Sequence, residues 1–510
     1  NPAGPWRYGR LAPGNKPDSA SFTAFGDGSE IGAGNGIGSL SNPDSGVWED
    51  LLDDTHPYQR VPHTASVIRT LRSVGGGVRP MLVSEYGVGS AVDLPRAARW
   101  YEQLGQTGAE DAQFYRDKLD RFLADYQRWH LDDCLARPED FFAASHRSMA
   151  ADRLYGLNAL RANPSLIGHS LTGAVDQGMS GEGLFTTFRE LKPGTIDALF
   201  DAWAPLRLCL FAEPVQSYRG GQVRLEAVLA NEDVLPPGTY PLRLQVVGPA
   251  MTRLLDQVVD ITLPAPAAGE ELPFALPIWS GEVKLDGPAG DYRFTATFQR
   301  GAAAAGGEAR FFVAEAATMP AVEPVITRWG DDPQLASWLT DHGIRSREFS
   351  PVAPARAEVI LVGQTGSGDE TAWKALADRV AGGSVAIFLS PAVLKRGDDP
   401  LGWLPLDPRG QLVGLPAWLY HKDEWAKQHP FFAGLPAGGL LDHLYYREII
   451  GDQAFVGQNV PAEAVAGGIN AAFDYSSGLI LGVWPLGRGQ MVLNTLLSRA
   501  NLDGNPVAER

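Results

Sequence analysis

The period of the hydrophobic pattern changes twice along this chain, and those changes bound the fold more tightly than any single motif. From Asn1 to about Pro205, short apolar runs alternate with helical spacing. Arg79-Pro80-Met81-Leu82-Val83-Ser84-Glu85 reads as a buried parallel strand ending in a charge, and Ser165-Leu166-Ile167-Gly168-His169-Ser170-Leu171 as a second. Helices are expected at 66–71, 93–104, 108–132 and 147–161. In the third of these, Phe114, Leu119, Phe122, Leu123 and Tyr126 make one apolar face. Strand–helix units of this kind imply a parallel sheet covered by helices. From about 206 to 316 the period drops to two, as in Val223-Arg224-Leu225-Glu226-Ala227-Val228-Leu229 and Tyr292-Arg293-Phe294-Thr295-Ala296-Thr297-Phe298. Many short alternating strands separated by Pro- and Gly-rich turns predict an immunoglobulin-like β-sandwich. From 321 to 510 strand–helix alternation returns, with Glu358-Val359-Ile360-Leu361-Val362-Gly363, a helix over Glu370 to Val380, and Ser384-Val385-Ala386-Ile387-Phe388-Leu389. An open, flavodoxin-like α/β sheet is expected there.

Three domains also suit 510 residues. Residues 1–46, rich in Gly, Ser, Asn and Pro, read as loops, and Gly301 to Gly307 as a flexible turn or linker. The net charge of -17 disfavours a nucleic-acid binder, whose affinity rests on Lys and Arg. Two cysteines, Cys134 and Cys209, exclude a disulfide scaffold and are expected as buried thiols. No apolar run reaches the roughly 20 residues of a membrane span. The first residue is Asn1, and Val507-Ala508-Glu509-Arg510 reads as the first turn of a helix, so a processed piece or a fragment of a longer chain is expected.

The sharpest local signal is Val83-Ser84-Glu85-Tyr86-Gly87, a carboxylate directly after an apolar strand and before a glycine-containing turn. At the mouth of a parallel barrel that is where catalytic side chains sit. Upstream, Asp53-Asp54-Thr55-His56-Pro57-Tyr58 sets an imidazole and a phenol two residues apart, on one side of an extended segment. The Tyr58 hydroxyl would then fix the Glu85 rotamer. Downstream, His169 and Leu171 alternate before Thr172, with Asp176 and Glu182 in the following loop. A carboxylate beside a Tyr and a His suits attack on an anomeric carbon, provided a second carboxyl about 5 Å away protonates the leaving oxygen. The plainer alternative is a structural ion pair of Glu85 with Arg79 or Arg99.

Ser84-Glu85-Tyr86-Gly87 resembles the nucleophile segment of the β-galactosidase/β-glucuronidase family of glycoside hydrolases, and Asp54-Thr55-His56-Pro57-Tyr58 is similar to the preceding strand of its barrel. Gly168 to Asp176, Gly181-Glu182-Gly183-Leu184-Phe185 and Arg189-Glu190-Leu191-Lys192-Pro193-Gly194 resemble its closing strand and exit. The resemblance covers residues 45–315. It implies that 1–205 is the second half of a (β/α)8 barrel with long loops and a helical insertion at about 104–150, followed by the sandwich at 206–316. It implies a retaining exo-type hydrolase of a β-linked sugar, with Glu85 as nucleophile and Tyr58 as its orienting partner. His56, His169 and Asp176 would bind substrate. The family's acid/base Glu follows an Asn, and the one Asn-Glu pair here, Asn231-Glu232, lies in the sandwich region. The acid is therefore expected from an upstream segment or second polypeptide completing the barrel, or from Glu30, Glu49, Asp176 or Glu182. A non-catalytic carbohydrate-binding or assembly protein is the competing class.

In the third region, His429-Pro430-Phe431-Phe432-Ala433-Gly434-Leu435-Pro436 resembles an amidotransferase-like domain, but neither cysteine lies there to act as nucleophile. An interaction or homo-oligomerisation role is expected at 321–510. Gly363-Gln364-Thr365-Gly366-Ser367-Gly368 lacks the Lys-Ser/Thr of a phosphate loop. The nine histidines show no ligand spacing, so no metal or cofactor is expected, and His421, His429 and His443 read as surface or packing residues. Trp6 and Trp48 are placed near the mouth, and Trp100, Trp129 and Trp203 in the core. A periplasmic or secreted location is favoured over a cytoplasmic one.

Overall fold

The structure, a computed structural model, describes residues 10–11, 38–39, 48–49, 53–58, 61–75, 80–176, 180–268, 272–352, 357–363, 369–415 and 422–510. The chain folds as several sheets of mixed α/β and all-β character.

The first region contributes β1 (Arg10–Leu11), β2 (Gly38–Ser39), β3 (Trp48–Glu49), β4 (Asp53–Thr55), β5 (Met81–Tyr86) and β6 (Leu166–Leu171). β1 pairs with β3, and the other four form one sheet in the order β2-β4-β5-β6. Within it β4, β5 and β6 run parallel and β2 antiparallel. The alternation of β5 sorts its side chains: Met81 and Val83 are buried, while Leu82 and Ser84 are half-buried on the other face. The buried face packs on α1 (Ala65–Leu71), whose first turn Thr64 caps by accepting from the Val67 N–H, through Val67, Ile68 and Leu71. Among the described residues β6 pairs only with β5, so the sheet is open and no closed barrel forms.

Between β5 and β6 lie α2 (Leu94–Gln103), α3 (Glu110–Arg128) and α4 (Pro138–Arg161). α4 begins well before the predicted 147. Arg137 and Asp140 close a capping box at its start, and Phe141 and Phe142 bury its first turn. Its last turns bury Leu157 and Leu160 against β5. α5 (Thr195–Ala202) follows β6.

The sandwich comprises β7 (Leu206–Glu213), β8 (Gln216–Tyr218), β9 (Gln222–Asn231), β10 (Gly238–Val247), β11 (Arg253–Leu263), β12 (Ala275–Lys284), β13 (Gly290–Phe298), β14 (Ala305–Gly306) and β15 (Glu308–Ala314). They form two sheets, β11-β10-β13-β15-β8 and β12-β9-β7-β14, whose alternate residues fill one core. The stretch expected as a linker is partly sheet, since Ala305 and Gly306 pair in parallel with Arg207 and Leu208 of β7. A Cβ on Gly306 would lie 2.6 Å from the Leu208 carbonyl oxygen, so only glycine permits that approach.

The last region carries β16 (Ile326–Trp329), β17 (Ser346–Glu348), β18 (Val359–Val362), β19 (Val385–Phe388), β20 (Gln411–Gly414), β21 (Asp423–Ala426), β22 (Gly439–Leu440), β23 (Gln453–Val456), β24 (Glu463–Asn470), β25 (Ser476–Leu486) and β26 (Gly489–Asn494). The run β17-β16-β18-β19-β26 is parallel, as predicted. It continues antiparallel through β25, β24, β21 and β22, so the flavodoxin-like expectation is corrected to a mixed sheet. β24 and β25 are buried over long stretches, which hides the period-two signal.

This sheet shares one apolar core with α2, α3 and the start of α4. The Trp129 and Trp425 rings lie 5.8 Å apart, and the Tyr475 hydroxyl donates to Asp125 at 2.8 Å. Ser145 donates to Asp423 at 2.7 Å. His443, expected at the surface or in simple packing, instead bridges two modules. Its Nδ1 lies 2.9 Å from Asp152 on α4, and its Nε2 2.9 Å from Glu424 on β21. Those two carboxylates raise its pKa well above the ordinary value against the opposing effect of burial.

Candidate active site

Glu85 stands at the C-terminal end of β5, its side chain 44 % exposed, beside a group brought in from β4 and β6. The Tyr58 hydroxyl donates to Glu85 Oε2 at 2.7 Å, and the same hydroxyl is 2.8 Å from Thr172 Oγ1. Thr172 Oγ1 also donates to the Tyr86 carbonyl at 3.1 Å, which ties the end of β6 to the end of β5. His56 spans the group from the other side. Its Nε2 is 2.9 Å from Ser84 Oγ and its Nδ1 is 3.5 Å from Glu85 Oε2.

Burial raises the Tyr58 pKa; Thr172 opposes the shift and Glu85 adds to it. The phenol therefore keeps its proton and acts as a fixed donor. The local geometry follows from register: Thr55 pairs with Val83, which carries His56 and Tyr58 past the end of β4 to the level of Ser84 and Glu85. A register shift between Val83 and Tyr86 breaks the alternation just where Glu85 emerges. The ion-pair alternative finds no partner in Arg99, which pairs with Glu139 at 3.5 Å; Arg79 lies outside the described residues.

His169 and Asp176 do not join this group. His169 is level with Val83, whose side chain faces the helices, and its Nε2 accepts from Trp203 Nε1 at 2.9 Å. It lines a separate cavity of about 470 Å³ with Arg161 and Glu232, and burial, then Arg161, pulls its pKa down to about 4. Asp176 is buried and accepts from Lys192 Nζ at 2.7 Å and from the Gly183 N–H at 2.8 Å. Lys192 gives its other two protons to Ser90 and the Gly181 carbonyl. Burial raises the Asp176 pKa and lowers that of Lys192 to about 8, while each charge opposes the other's shift. Asp176 and Lys192 thus form a buried internal ion pair.

Trp203, expected in the core, is 45 % exposed, whereas Trp129 is buried and Trp100 stacks on Phe188 at 5.7 Å. Cys209 is buried and Cys134 half-buried, both as free thiols. His429 lies 2.7 Å from Glu463. Trp6, Glu30, His421 and Gln364 to Gly368 lie outside the described residues, as do the side chains of Trp48 and Glu49. Among the described residues no group of three or more His, Cys, Asp or Glu side chains is arranged to hold a metal ion. No described helix is long and apolar enough to cross a membrane. Thr172 is the member of the site that sequence reasoning passed over; its signal was its position directly after a strand that pairs with β5.

No protein-family model matches the chain, and no curated protein matches it. Solved structures show a distant, partial likeness to family 2 glycosidases. A glycosyl hydrolase family 2 member from Bacteroides cellulosilyticus is 12 % identical, with a TM-score of 0.16, over 39 % of this chain and 27 % of its own. Parabacteroides merdae β-glucuronidase is 9 % identical, with a TM-score of 0.16, over 36 % of this chain and 24 % of its own. A cycloisomaltooligosaccharide glucanotransferase from Paenibacillus sp. is 9 % identical, with a TM-score of 0.16, over 36 % and 27 %. The aligned part spans about a quarter of the length of these proteins.

Proposed function

We propose that this chain is part of a retaining exo-type glycoside hydrolase acting on a β-linked sugar, with Glu85 as the nucleophile. The observation that carries the reading is the Tyr58–Glu85 hydrogen bond of 2.7 Å at the open end of three parallel strands. One carboxylate oxygen is held by a phenol that stays protonated, while the group remains accessible to a sugar ring. Such fixing matters because a nucleophile must meet the anomeric carbon along one line, and misalignment is costly in rate. In this reading His56, which lies between Ser84 and Glu85, contacts a sugar hydroxyl. The reading needs a second carboxyl, to be supplied by an upstream segment, a partner chain or a local residue.

The test is covalent labelling. A panel of 2-deoxy-2-fluoro β-glycosides with good leaving groups should trap a glycosyl ester, located at Glu85 by peptide mass mapping. Glu85→Gln should abolish labelling and most turnover without changing the circular dichroism spectrum. Sugar binding without labelling by any member of the panel would instead favour the carbohydrate-binding class.

A further inference from the structure

Three neighbouring strands each deliver one group to a single chain of hydrogen bonds. Glu85 lies at the end of β5, Tyr58 comes three residues after β4, and Thr172 directly follows β6. In its attacking form Glu85 is a carboxylate, which only accepts, so the one phenolic proton of Tyr58 goes to Glu85 Oε2 at 2.7 Å. The 2.8 Å contact between the two hydroxyls must then take its proton from Thr172, which donates to the Tyr58 oxygen. That proton has a second acceptor, the Tyr86 carbonyl at 3.1 Å. The same carbonyl already receives the Thr172 backbone N–H at 3.0 Å, and the phenol is nearer, so Tyr58 takes the larger share.

We propose that Thr172 is a positioning residue for the reaction at Glu85: its hydroxyl holds the Tyr58 oxygen from the β6 side, so that two hydrogen bonds in series align the nucleophile. This rests on the glycosidase reading above. Two local features suit Thr172 to the task. Its backbone bond to Tyr86 fixes the residue independently of the side chain, which leaves the hydroxyl spare. Its β-branched side chain has few χ1 choices, so the oxygen is held at small entropic cost. The chain then turns away at once, because Gly173 follows at φ +78°. Burial raises the Tyr58 pKa, Thr172 opposes that shift and Glu85 adds to it, which are the signs of a donor to the phenol oxygen and an acceptor of its proton.

A donor on the Tyr58 oxygen polarises its O–H and strengthens the bond that O–H makes to Glu85. Without Thr172 the phenol and the carboxylate keep their mutual bond but gain freedom to shift together. Attack on the anomeric carbon tolerates little misplacement, so the loss falls on the rate of attack. Thr172 acts through Tyr58, and sugar binding is therefore spared.

The experiment measures how fast 2-deoxy-2-fluoro β-glycosides with a 2,4-dinitrophenyl leaving group label Glu85. That group departs without a proton, so the readout does not depend on which residue supplies the acid. Wild type, Thr172→Val and Thr172→Ser are compared, and the valine change is repeated in a Tyr58→Phe background. Thr172→Val should lower the maximal labelling rate roughly three- to tenfold and leave the half-saturating concentration within about twofold. Thr172→Ser, which keeps the hydroxyl, should restore most of that loss. In Tyr58→Phe the valine change should alter the rate by less than about 1.5-fold, because the acceptor it acts through is gone. Thr172→Ala serves as the deletion if the melting temperature shows Thr172→Val unfolded. No loss in the deletion, an equal loss in both backgrounds, or a serine variant as slow as the deletion, with Glu85 labelled in wild type, would overturn the Thr172 assignment alone. Wild type unlabelled at Glu85 by every sugar of the panel would overturn the glycosidase reading and this assignment with it.

Discussion

Replacing His443 with Leu tests the junction between α4 and the C-terminal sheet. The imidazolium makes two charge-assisted hydrogen bonds of 2.9 Å, to Asp152 and Glu424, and all three side chains are nearly inaccessible. Removing it leaves two carboxylates in one dry site, and stripping one partner from a buried ionic group costs about 3–5 kcal/mol. For a cooperative unit of 150–250 residues that is roughly 6–20 °C of melting temperature, at ~2–4 °C per kcal/mol. The pH dependence adds a second check. The folded-state pKa of His443 lies above its ordinary 6.5, so the folded protein holds this proton more tightly than the unfolded chain. Its stabilisation is therefore complete below the ordinary value and is lost as pH rises through the raised one. Leucine carries no such proton, so the deficit of the variant should be larger at pH 5 than at pH 7.5. Differential scanning calorimetry at both values reads it. A shift under about 2 °C at pH 7.5, or one independent of pH, would refute the charged bridge.

Tyr58→Phe removes one bond to the Glu85 carboxylate, and at about 1.5–3 kcal/mol for a charge-assisted bond should lower kcat/KM roughly ten- to a hundredfold, with little change in melting temperature. Lys192→Met strands the buried Asp176 and should cost about 3–5 kcal/mol by denaturant titration, much of it regained on adding Asp176→Asn. Gly156→Ala should be destabilised by about 1–3 kcal/mol, because the new Cβ would sit 1.7 Å from the Tyr86 hydroxyl oxygen and 2.7 Å from His63 Nε2. Phe200→Ser, at a side chain 83 % exposed on α5, should stay within about 0.5 kcal/mol of wild type in the same titration.

The sequence carried what local period and spacing can carry. Met81 to Glu85 as a strand ending in a carboxylate, the two-residue step from His56 to Tyr58, and the alternation of β9, β10 and β13 are all local signals. Side-chain direction was less legible. His169 looked equivalent to Glu85 at a strand end, yet register places it level with Val83 on the helix side. The partner of Asp176 was not legible either, because Lys192 lies in a separate motif sixteen residues on. The antiparallel half of the C-terminal sheet escaped because Gly467, Gly468, Gly478 and Gly482 replace alternating side chains with bare backbone in β24 and β25. A Cβ on Gly467 would fall 2.6 Å from the Trp425 ring, a requirement visible only when strands far apart in sequence are assembled.

Helix α4 touches each of the three regions: Phe141 and Phe142 share the C-terminal core, Leu157 and Leu160 pack on β5, and Asn158 donates to the Leu210 carbonyl of the sandwich at 3.1 Å. The seams drawn by compositional change near 205 and 320 are therefore not seams of detachment. A protease cutting after residue 316 would release no independent piece, because Trp129 would lose the Trp425 ring 5.8 Å away and Asp125 the Tyr475 hydroxyl. For the same reason, shortening this protein from its C-terminal end, by evolution or by hand, requires repainting the outer faces of α3 and α4 with polar side chains first.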